Sequence, residues 1–441
     1  SAGSVDIDEA SSMSISGVSS SGADLNLVST DDVTLNASVT VVGDTSILAG
    51  TTVGGITVNA KLNGSGTILL DAADEITISA AIDPTTVTLN ADDDITVTAA
   101  VVASELITVS AGEDGSGSFI LGASGSLETT DSGSDIAVTT GSTSGDITLT
   151  GTTTALDLVT MTTASGSING SGLVTSDTVD LNASSGIGNT TGITLSASNI
   201  SADTTVGDVE IANSLGTAVS VSSLTTGTGS VSFSQSGGGD VSTSSVSASV
   251  AVALSNAAGS LSLAGTVFAA SLDATATGAI TDGSNGDLAI AGLAEFTADS
   301  LELGNDAGNA TNFGTLTFNS TGSVTVSEDS SLDLFGTNTA GSASLVSVAG
   351  VSDALAASVN VTGLLDVSGT SIALGSGTSV FNAGTLTFNS AGSVTVSEAS
   401  SLDLVGINTA SSADLDSTAG VSDTGAASVD VSGLLDVSGT S

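Results

Sequence analysis

The stretch that decides the fold is residues 53–110, which read VGGITVNAKLNGSGTILLDAADEITISAAIDPTTVTLNADDDITVTAAVVASELITVS. Its apolar residues come mostly as apolar–polar–apolar triplets, usually with Thr in the middle, although 68–70 has Leu there. Such an alternation forms a very short strand that points two side chains inward and one outward. The triplets occupy residues 56–58, 68–70, 76–78, 87–89, 95–97 and 107–109.

The triplets also recur at a nearly fixed distance. Long and short steps alternate between them, so every second triplet returns after about 20 residues. A recurrence of this length indicates a solenoid, in which each coil contacts only its neighbours. The sequence therefore predicts an all-β fold, a right-handed parallel β-helix (β-solenoid) in the form of an elongated rod. Each coil would have about 20–22 residues and two main strands. The right-handedness is implied by a family resemblance and not by the triplets.

The composition limits what the chain can bind. Of its 441 residues, 47 are Asp or Glu, and Lys61 is the single Lys or Arg, which gives a net charge of −46. Nucleic-acid binding needs clustered cations, so nucleic acid is excluded as a partner, and an anionic membrane surface is disfavoured. No apolar run reaches the length of a membrane helix, so we expect no membrane insertion by this segment.

Three regions differ in how regularly the triplets recur. Residues 1–110 predict regular β-helix coils of about 20 residues. Residues 111–290 keep the triplets in larger, Gly- and Ser-rich coils. Residues 291–441 are dominated by a long internal repeat.

The repeat begins at residue 314 and again at residue 384. Residues 314–371 match 384–441 with 12 differences over 58 positions. The spacing of apolar residues within one repeat predicts three coils per repeat. Most differences fall at positions expected to face outward, but Phe335 against Val405 is interpreted as a substitution in the core. Because the second copy stops inside the repeat, we expect the chain to be a fragment of a longer protein.

Asparagine residues follow several triplets directly. Asn tolerates left-handed backbone, and its amide can bond to the coils above and below, so these residues predict a ladder at one corner of the coil. The residues concerned are Asn36, Asn90, Asn182, Asn319 and Asn389.

Acidic residues often stand directly before a triplet, and some occur in runs. Equivalent positions of successive coils stack at the strand spacing, so stacked carboxylates would raise one another's pKa unless a cation relieved the repulsion. Ca²⁺ prefers such groups of carboxylate oxygens. The alternative is a solvated acidic edge that keeps a Ser- and Thr-rich rod in solution. The candidate calcium ligands are Asp31, Asp32, Asp74, Glu75, Asp92, Asp93 and Asp94.

Catalytic chemistry has few residues to draw on. The sequence contains no His and no Cys, which removes the usual nucleophile–base pairs and the usual zinc ligands. Paired carboxylates can hydrolyse glycosides, but Trp, Tyr and Arg, which commonly grip sugars, are also absent. We therefore expect no enzyme activity and no cofactor other than Ca²⁺.

Three phrases carry a resemblance: GDITLTG at 145–151, VDLNASSGIG at 179–188 and ITLSA at 193–197. Together with the triplets and the coil step, they resemble large bacterial surface adhesins of the filamentous haemagglutinin type. More broadly they resemble β-strand-repeat exoproteins and autotransporter passengers. The resemblance implies a right-handed β-helix, secretion, and a location at the cell surface. This chain departs from those proteins in its near-total lack of bases.

Three functions remain open from the sequence. The first is a non-catalytic, extracellular shaft of an adhesin or fibre. The second is a self-assembling filament or surface-layer subunit, stabilised by Ca²⁺, with self-association or other cell-surface and matrix components as partners. The third is a polysaccharide-binding module. For the fold, the alternative is a string of immunoglobulin-like sandwiches, one per repeat, which would need longer strands than triplets provide.

Overall fold

The computed structural model describes residues 3–17, 19–353, 356–424 and 427–439. The chain divides into two compact units, residues 1–233 and 234–441. Each unit is built from short parallel strands, and the helical residues in the described ranges form one turn of 3₁₀ helix, Gly283–Asn285. The predicted all-β solenoid is therefore confirmed within each unit.

The first unit has mostly short strands, because triplets rich in Val, Ile and Thr alternate with Gly, Ser and Asp turns, and longer strands after residue 172. They are β1 (Val5–Glu9), β2 (Met13–Ile15), β3 (Ser19–Ser21), β4 (Leu25–Ser29), β5 (Val33–Leu35), β6 (Val39–Val41), β7 (Thr45–Ala49), β8 (Ile56–Val58), β9 (Leu62–Gly64), β10 (Thr67–Ala72), β11 (Ile76–Ile78), β12 (Ile82–Asp83), β13 (Thr86–Ala91), β14 (Ile95–Val97), β15 (Ala100–Ala103), β16 (Leu106–Ala111), β17 (Phe119–Leu121), β18 (Ser126–Thr129), β19 (Asp135–Thr140), β20 (Ile147–Leu149), β21 (Thr152–Thr154), β22 (Leu158–Thr163), β23 (Ile168–Asn169), β24 (Leu173–Ala183), β25 (Ile193–Thr204), β26 (Val209–Asn213) and β27 (Val219–Thr226). The division between the units falls inside β28 (Val231–Gln235).

Three sheets run along the first unit, because each regular coil contributes three strands. Sheet 1 contains β1, β4, β7, β10, β13, β16, β19, β22, the ends of β24 and β25, and β27. Sheet 2 contains β2, β5, β8, β11, β14, β17, β20 and β23. Sheet 3 contains β3, β6, β9, β12, β15, β18, β21 and the starts of β24 and β25.

Sheets 1 and 2 correspond to the two strands per coil that the triplets predict, but the prediction missed sheet 3. Several strands of sheet 3 carry a single large buried apolar residue where a triplet carries two. Leu62, Ile82 and Val101 stack directly on one another in this sheet. An isolated apolar residue between turn residues shows no alternation, so it gives no strand signal in the sequence.

The register fixes the coil length. Ile68 pairs with Val87, and Val159 pairs with Val179, so a regular coil advances the chain by about 20 residues. The coil is longer where Ile107 pairs with Ile136, because loops are inserted at its corners. The predicted coil length therefore holds for the regular coils.

The second unit has the same construction, with longer strands. They are β29 (Val241–Ser247), β30 (Ala251–Asn256), β31 (Leu261–Ala269), β32 (Ser271–Ala276), β33 (Ala279–Thr281), β34 (Leu288–Ala298), β35 (Ser300–Leu303), β36 (Thr311–Ser320), β37 (Ser323–Glu328), β38 (Leu332–Leu334), β39 (Thr337–Ala340), β40 (Ser342–Ser347), β41 (Gly350–Asp353), β42 (Ser358–Gly369), β43 (Ser371–Leu374), β44 (Val380–Ser390), β45 (Ser393–Glu398), β46 (Ser401–Leu404), β47 (Ile407–Ala410), β48 (Ser412–Ser417), β49 (Gly420–Asp423), β50 (Ser428–Val431) and β51 (Leu435–Gly439).

These strands again form three sheets, and the long strands bend from one sheet into the next. The strands around the repeat are assigned by their pairings. Sheet 4 contains β30, β32, the ends of β34 and β36, β39, and the starts of β42 and β44. Sheet 5 contains the starts of β29 and β31, then β33, β35, β37, β40, and the ends of β42 and β44, which β47 continues. Sheet 6 contains the ends of β29 and β31, the starts of β34 and β36, then β38, β41, β43, β45, β48 and β51.

The repeat does not contain a whole number of coils. Above Phe318 in sheet 4 lies Asn338, whose side-chain Oδ1 accepts the Phe318 backbone N–H at 3.0 Å. Asn338 pairs with Val359, and Val359 pairs with Phe381. Three coils after Phe318, sheet 4 therefore holds Phe381, and not the equivalent residue Phe388.

Phe388 lies one sheet further round the axis. It pairs with Val367, which pairs with Leu345, which in turn pairs with Val326 of sheet 5. One repeat thus spans three coils plus one strand, or ten strands in all. The predicted three coils per repeat is close but wrong, and the extra strand moves every equivalent residue to the next sheet.

The repeat keeps its core and varies its surface. Ten of the twelve differing pairs have both members in the described residues, and none of those side chains is buried. Phe335 is 47% exposed, so the expectation that Phe335 against Val405 is a substitution in the core is wrong. Phe335 directly follows the inward Leu334, and the alternation of the strand therefore points it outward.

Candidate functional surface

Carboxylates that directly precede strands of sheet 2 accept a hydrogen bond from a backbone N–H of the next coil. Asp94 Oδ1 accepts the Ser118 N–H at 2.7 Å, and Asp146 Oδ1 accepts the Ser167 N–H at 2.8 Å. The same bond joins other pairs in both units: Asp32 to Gly55 at 3.0 Å, Asp208 to Ser230 at 2.8 Å, Asp240 to Ser260 at 2.8 Å and Asp287 to Ala310 at 2.9 Å. The acidic residue before a triplet therefore has a structural partner: it satisfies a corner N–H that the ladder leaves free.

In these bonds the carboxylate meets a small residue in the next coil. Asp32 lies next to Gly55, Asp94 next to Ser118, and Asp146 next to Ser167. At these three pairs the next coil offers no second carboxylate, so no long stack of the kind the calcium hypothesis assumes forms along this corner; Glu75 and Asp94 are in register in adjacent coils. The sequence shows where the acidic residues lie along the chain. It does not show which residue of the next coil each carboxylate meets, because the coil lengths vary.

The seven candidate calcium ligands are brought only partly together. Asp31 and Asp32 are separated from Asp74 and Glu75 by an intervening coil, which contributes Gly55 at this corner: the Val33 N–H donates to the Gly55 carbonyl at 2.9 Å, and the Ile56 N–H donates to the Glu75 carbonyl at 2.9 Å. The remaining candidates, Asp92, Asp93 and Asp94, lie in the coil that follows Glu75, where the Ile76 N–H donates to the Asp94 carbonyl at 3.0 Å. Within the described residues, no group of three or more His, Cys, Asp or Glu has the geometry to hold a metal ion.

Two acidic columns do form where the coils are most regular, one of Asp74 and Asp93 and one of Asp71, Asp92 and Glu113. The pKa of Asp93 is raised above its ordinary value, first by a hydrogen bond shared with the Asp74 carboxyl and then by burial and by nearby carboxylates. In the other column, burial and the charge of Asp92 raise the pKa of Asp71, and burial with both neighbours raises that of Glu113. Asp93, Asp71 and Glu113 therefore hold their protons more tightly than isolated carboxylates.

The single base lies apart from those columns. The Lys61 Nζ and the Asp83 Oδ2 are 4.0 Å apart, and both side chains are at least half exposed. An exposed pair at this distance contributes little to stability. Lys61 therefore gives the first unit no cationic surface.

Amide side chains form the predicted corner bonds at several positions. Asn59 donates from Nδ2 to Asn36 Oδ1 at 3.0 Å, one coil below. In the second unit, Asn319 Oδ1 accepts the Thr339 hydroxyl at 2.6 Å, and Asn389 accepts the Thr409 hydroxyl at 2.6 Å. The ladder prediction is confirmed for Asn36, Asn319 and Asn389, but the ladder is short and alternates with hydroxyl groups.

Buried polar side chains were the feature that the sequence reasoning missed. Glu328 and Glu398 are each 1% exposed, and Asn338 and Asn408 are fully buried. Glu328 and Asn338 each accept a backbone N–H of β36, and Glu398 and Asn408 each accept a backbone N–H of β44. The signal was available in the sequence, because the phrase SVTVSE with its final Glu occurs in both copies at the end of an alternating strand.

The described part of the chain has no helix long and apolar enough to cross a membrane. Comparison of the chain with protein-family models, with curated proteins and with solved structures finds no match.

Proposed function

We propose that this chain is a structural shaft, the non-catalytic part of an extracellular bacterial adhesin or fibre that spaces other elements from the cell surface. The observation that carries the proposal is the pattern of the repeat. Among the described residues, the two copies differ only at positions that are not buried. Selection for a continuous core, and not for one particular surface, is the property that a spacer needs.

The ten-strand length of the repeat, which moves equivalent residues to the next sheet, supports the same function. Phe318 lies in sheet 4 and its equivalent Phe388 in sheet 5, so the repeated surface does not line up along one sheet. A binding module for a long polymer would gain from equivalent residues on a single face. A shaft gains from having the same construction on every side.

The resemblance to filamentous haemagglutinin-type adhesins motivates the proposed location at the cell surface. Antibodies raised against the purified chain should label intact cells, and protease added to intact cells should remove the signal. Labelling that appears only after the cells are broken would overturn the location. Saturable binding of the purified chain to a polysaccharide would instead favour the binding module.

Self-association is the second candidate, and the two acidic columns around Asp93 and Asp92 favour a role for divalent cations in it. Carboxylates with raised pKa repel one another, and Ca²⁺ between two copies would relieve that repulsion. Light scattering of the purified chain in high calcium separates the candidates. A monomer supports the shaft, and growing particles that dissolve on chelation support the filament or surface layer.

A further inference from the structure

Glu328 ends β37 and turns its side chain into the core of the second unit. Its Oε1 accepts two hydrogen bonds, from the Phe313 backbone N–H at 3.0 Å and from the Ser330 hydroxyl at 2.9 Å. Its Oε2 is buried and has no hydrogen-bond partner in the described structure. One oxygen of the carboxyl therefore replaces a missing ladder bond to β36, and the other is buried without a protein partner in the described residues.

Glu398 repeats this arrangement in the second copy of the repeat. Its Oε1 accepts the Ala383 N–H at 2.9 Å and the Ser400 hydroxyl at 2.9 Å, and its Oε2 is again buried without a partner in the described residues. The surroundings differ, because Phe313 in the first copy is replaced by Ala383 in the second. The geometry recurs on a different sheet and beside different neighbours, so it belongs to the repeat itself.

No positive charge is available to either carboxyl. The second unit contains no Lys, Arg or His, since the only base of the chain is Lys61. The elements packed on these two strands add negative groups or none: β36, β40, β43 and β44 carry no titratable side chain. Acidic residues on the strands that pair with or follow these two strands, or in the turns between them, are Glu302 on β35, Asp329, Asp333 on β38, Asp403 on β46, and Asp414 and Asp416 on β48.

This environment favours the neutral acid. Burial raises the pKa of Glu328 to about 7, against the opposing hydrogen bonds from Phe313 and Ser330, and Asp333 and Asp329 raise it further. Burial likewise raises the pKa of Glu398. A group that binds its proton more tightly in the folded state stabilises that state most in acid, and the stabilisation is lost as pH rises through the folded pKa.

We propose that Glu328 and Glu398 are acid-stabilised latches, one in each repeat. While protonated, each holds the corner after its strand to the preceding coil. On release of the proton to solvent, a bare carboxylate remains in the core, and the corner between β37 and β38, or between β45 and β46, opens locally. These corners of the repeats are therefore most stable against local opening in mildly acidic solution, and they open more often as the solution becomes alkaline.

Hydrogen exchange of the full chain, followed by mass spectrometry at pH 5 and pH 8, tests the proposal. The protection factor of the segment containing Phe313 should fall roughly 70-fold between these values, as expected for a carboxyl whose pKa moves from 4.5 to about 7 on folding. The protection factor of the segment containing Ala383 should also fall between pH 5 and pH 8. In the Glu328→Gln, Glu398→Gln double variant, which keeps an acceptor but cannot ionise, both segments should lose this pH dependence.

Glu295→Gln is the matched control, because Glu295 is exposed on β34 and undergoes the same chemical change without burial. It should leave the pH dependence of both segments intact. An equal fall in the wild type and in the double variant would overturn the latch, as would no fall in the wild type. If the double variant fails to fold, ¹³C titration of the wild-type carboxyls decides, and ordinary Glu values for both would refute the proposal.

Discussion

Replacing Phe318 by Ala should weaken the repeat far more than replacing Phe335 by Ala. Phe318 is fully buried and Phe335 is 47% exposed, although both lie in the same copy of the repeat. A buried Phe removes about 150–250 Å² from water, which at about 25 cal/mol per Å² corresponds to roughly 4–6 kcal/mol. Truncation to Ala keeps the Cβ, so Phe318→Ala should cost about 3–5 kcal/mol. Phe335→Ala removes about half that burial and leaves no core cavity, so it should cost roughly 1–2 kcal/mol.

The measurement must be local, because a solenoid need not unfold in one step. Hydrogen exchange reports the opening of each segment separately. Phe318→Ala should reduce protection by roughly two to four orders of magnitude in β36 and in its neighbours β34 and β39. Strand β43 does not pair with β36, so its protection should change little.

Two results would refute this reasoning. Equal losses from Phe318→Ala and Phe335→Ala would mean that Phe335 packs in the core, as its apolar side chain suggested in the sequence. A loss of protection in β43 as large as that in β36 would mean that the effect of the substitution spreads beyond the adjacent coils. Phe388→Ala, the equivalent change in the second copy, should lower protection around β44 and leave β34 unchanged.

Three further predictions concern the first unit. Gly170→Ala should prevent that coil from forming normally, because the new Cβ would lie 1.9 Å from a carbonyl oxygen, whereas Gly133→Ala has open space and should cost only about 1–2 kcal/mol of left-handed strain in denaturant melts. Asp208→Ala should cost about 1–3 kcal/mol by leaving the Ser230 N–H without its 2.8 Å partner, measured by exchange of that amide. Calcium should leave the melting temperature unchanged if residues 92–94 form only a solvated edge, and a rise abolished by Asp93→Asn would support a bound ion.

The solenoid was predictable because its evidence is local. In sheets 1 and 2, an alternating triplet such as 76–78 fixes a strand, and its recurrence fixes the coil. Sheet 3 was not predictable, because Leu62 and Ile82 stand alone between turn residues and become a strand only by stacking on each other. A repeated triplet can be recognised from the sequence alone. Which residues stack on one another depends also on the lengths of the loops, and these differ from coil to coil.

The candidate calcium site was harder to predict for a related reason. The runs at 31–32 and 92–94 identify acidic corners correctly, but the sequence does not say which corners coincide. Variable coil lengths put Gly55 beside Asp32 and Ser118 beside Asp94, so these two carboxylates accept a backbone N–H of the next coil, whereas the Asp74 and Asp93 carboxyls meet each other. The seven candidate positions stay a prediction for calcium, although their arrangement is looser than an aligned stack. The alternation in SVTVSE places Glu328 on the inward face with Val324 and Val326, but the split between β38 and β39 beside it depends on how the coils stack and has no local pattern.

The ten-strand period of the repeat has a consequence for how such a molecule changes length. Recombination that inserts or deletes one copy moves the following coils along the axis by about 16 Å, at roughly 4.8 Å per coil. It also turns everything beyond the junction by one sheet, or about a third of a revolution, because Phe388 takes up the sheet next to that of Phe318. Natural length variants would differ in the direction in which their far end points, and gaining or losing three copies together would restore it.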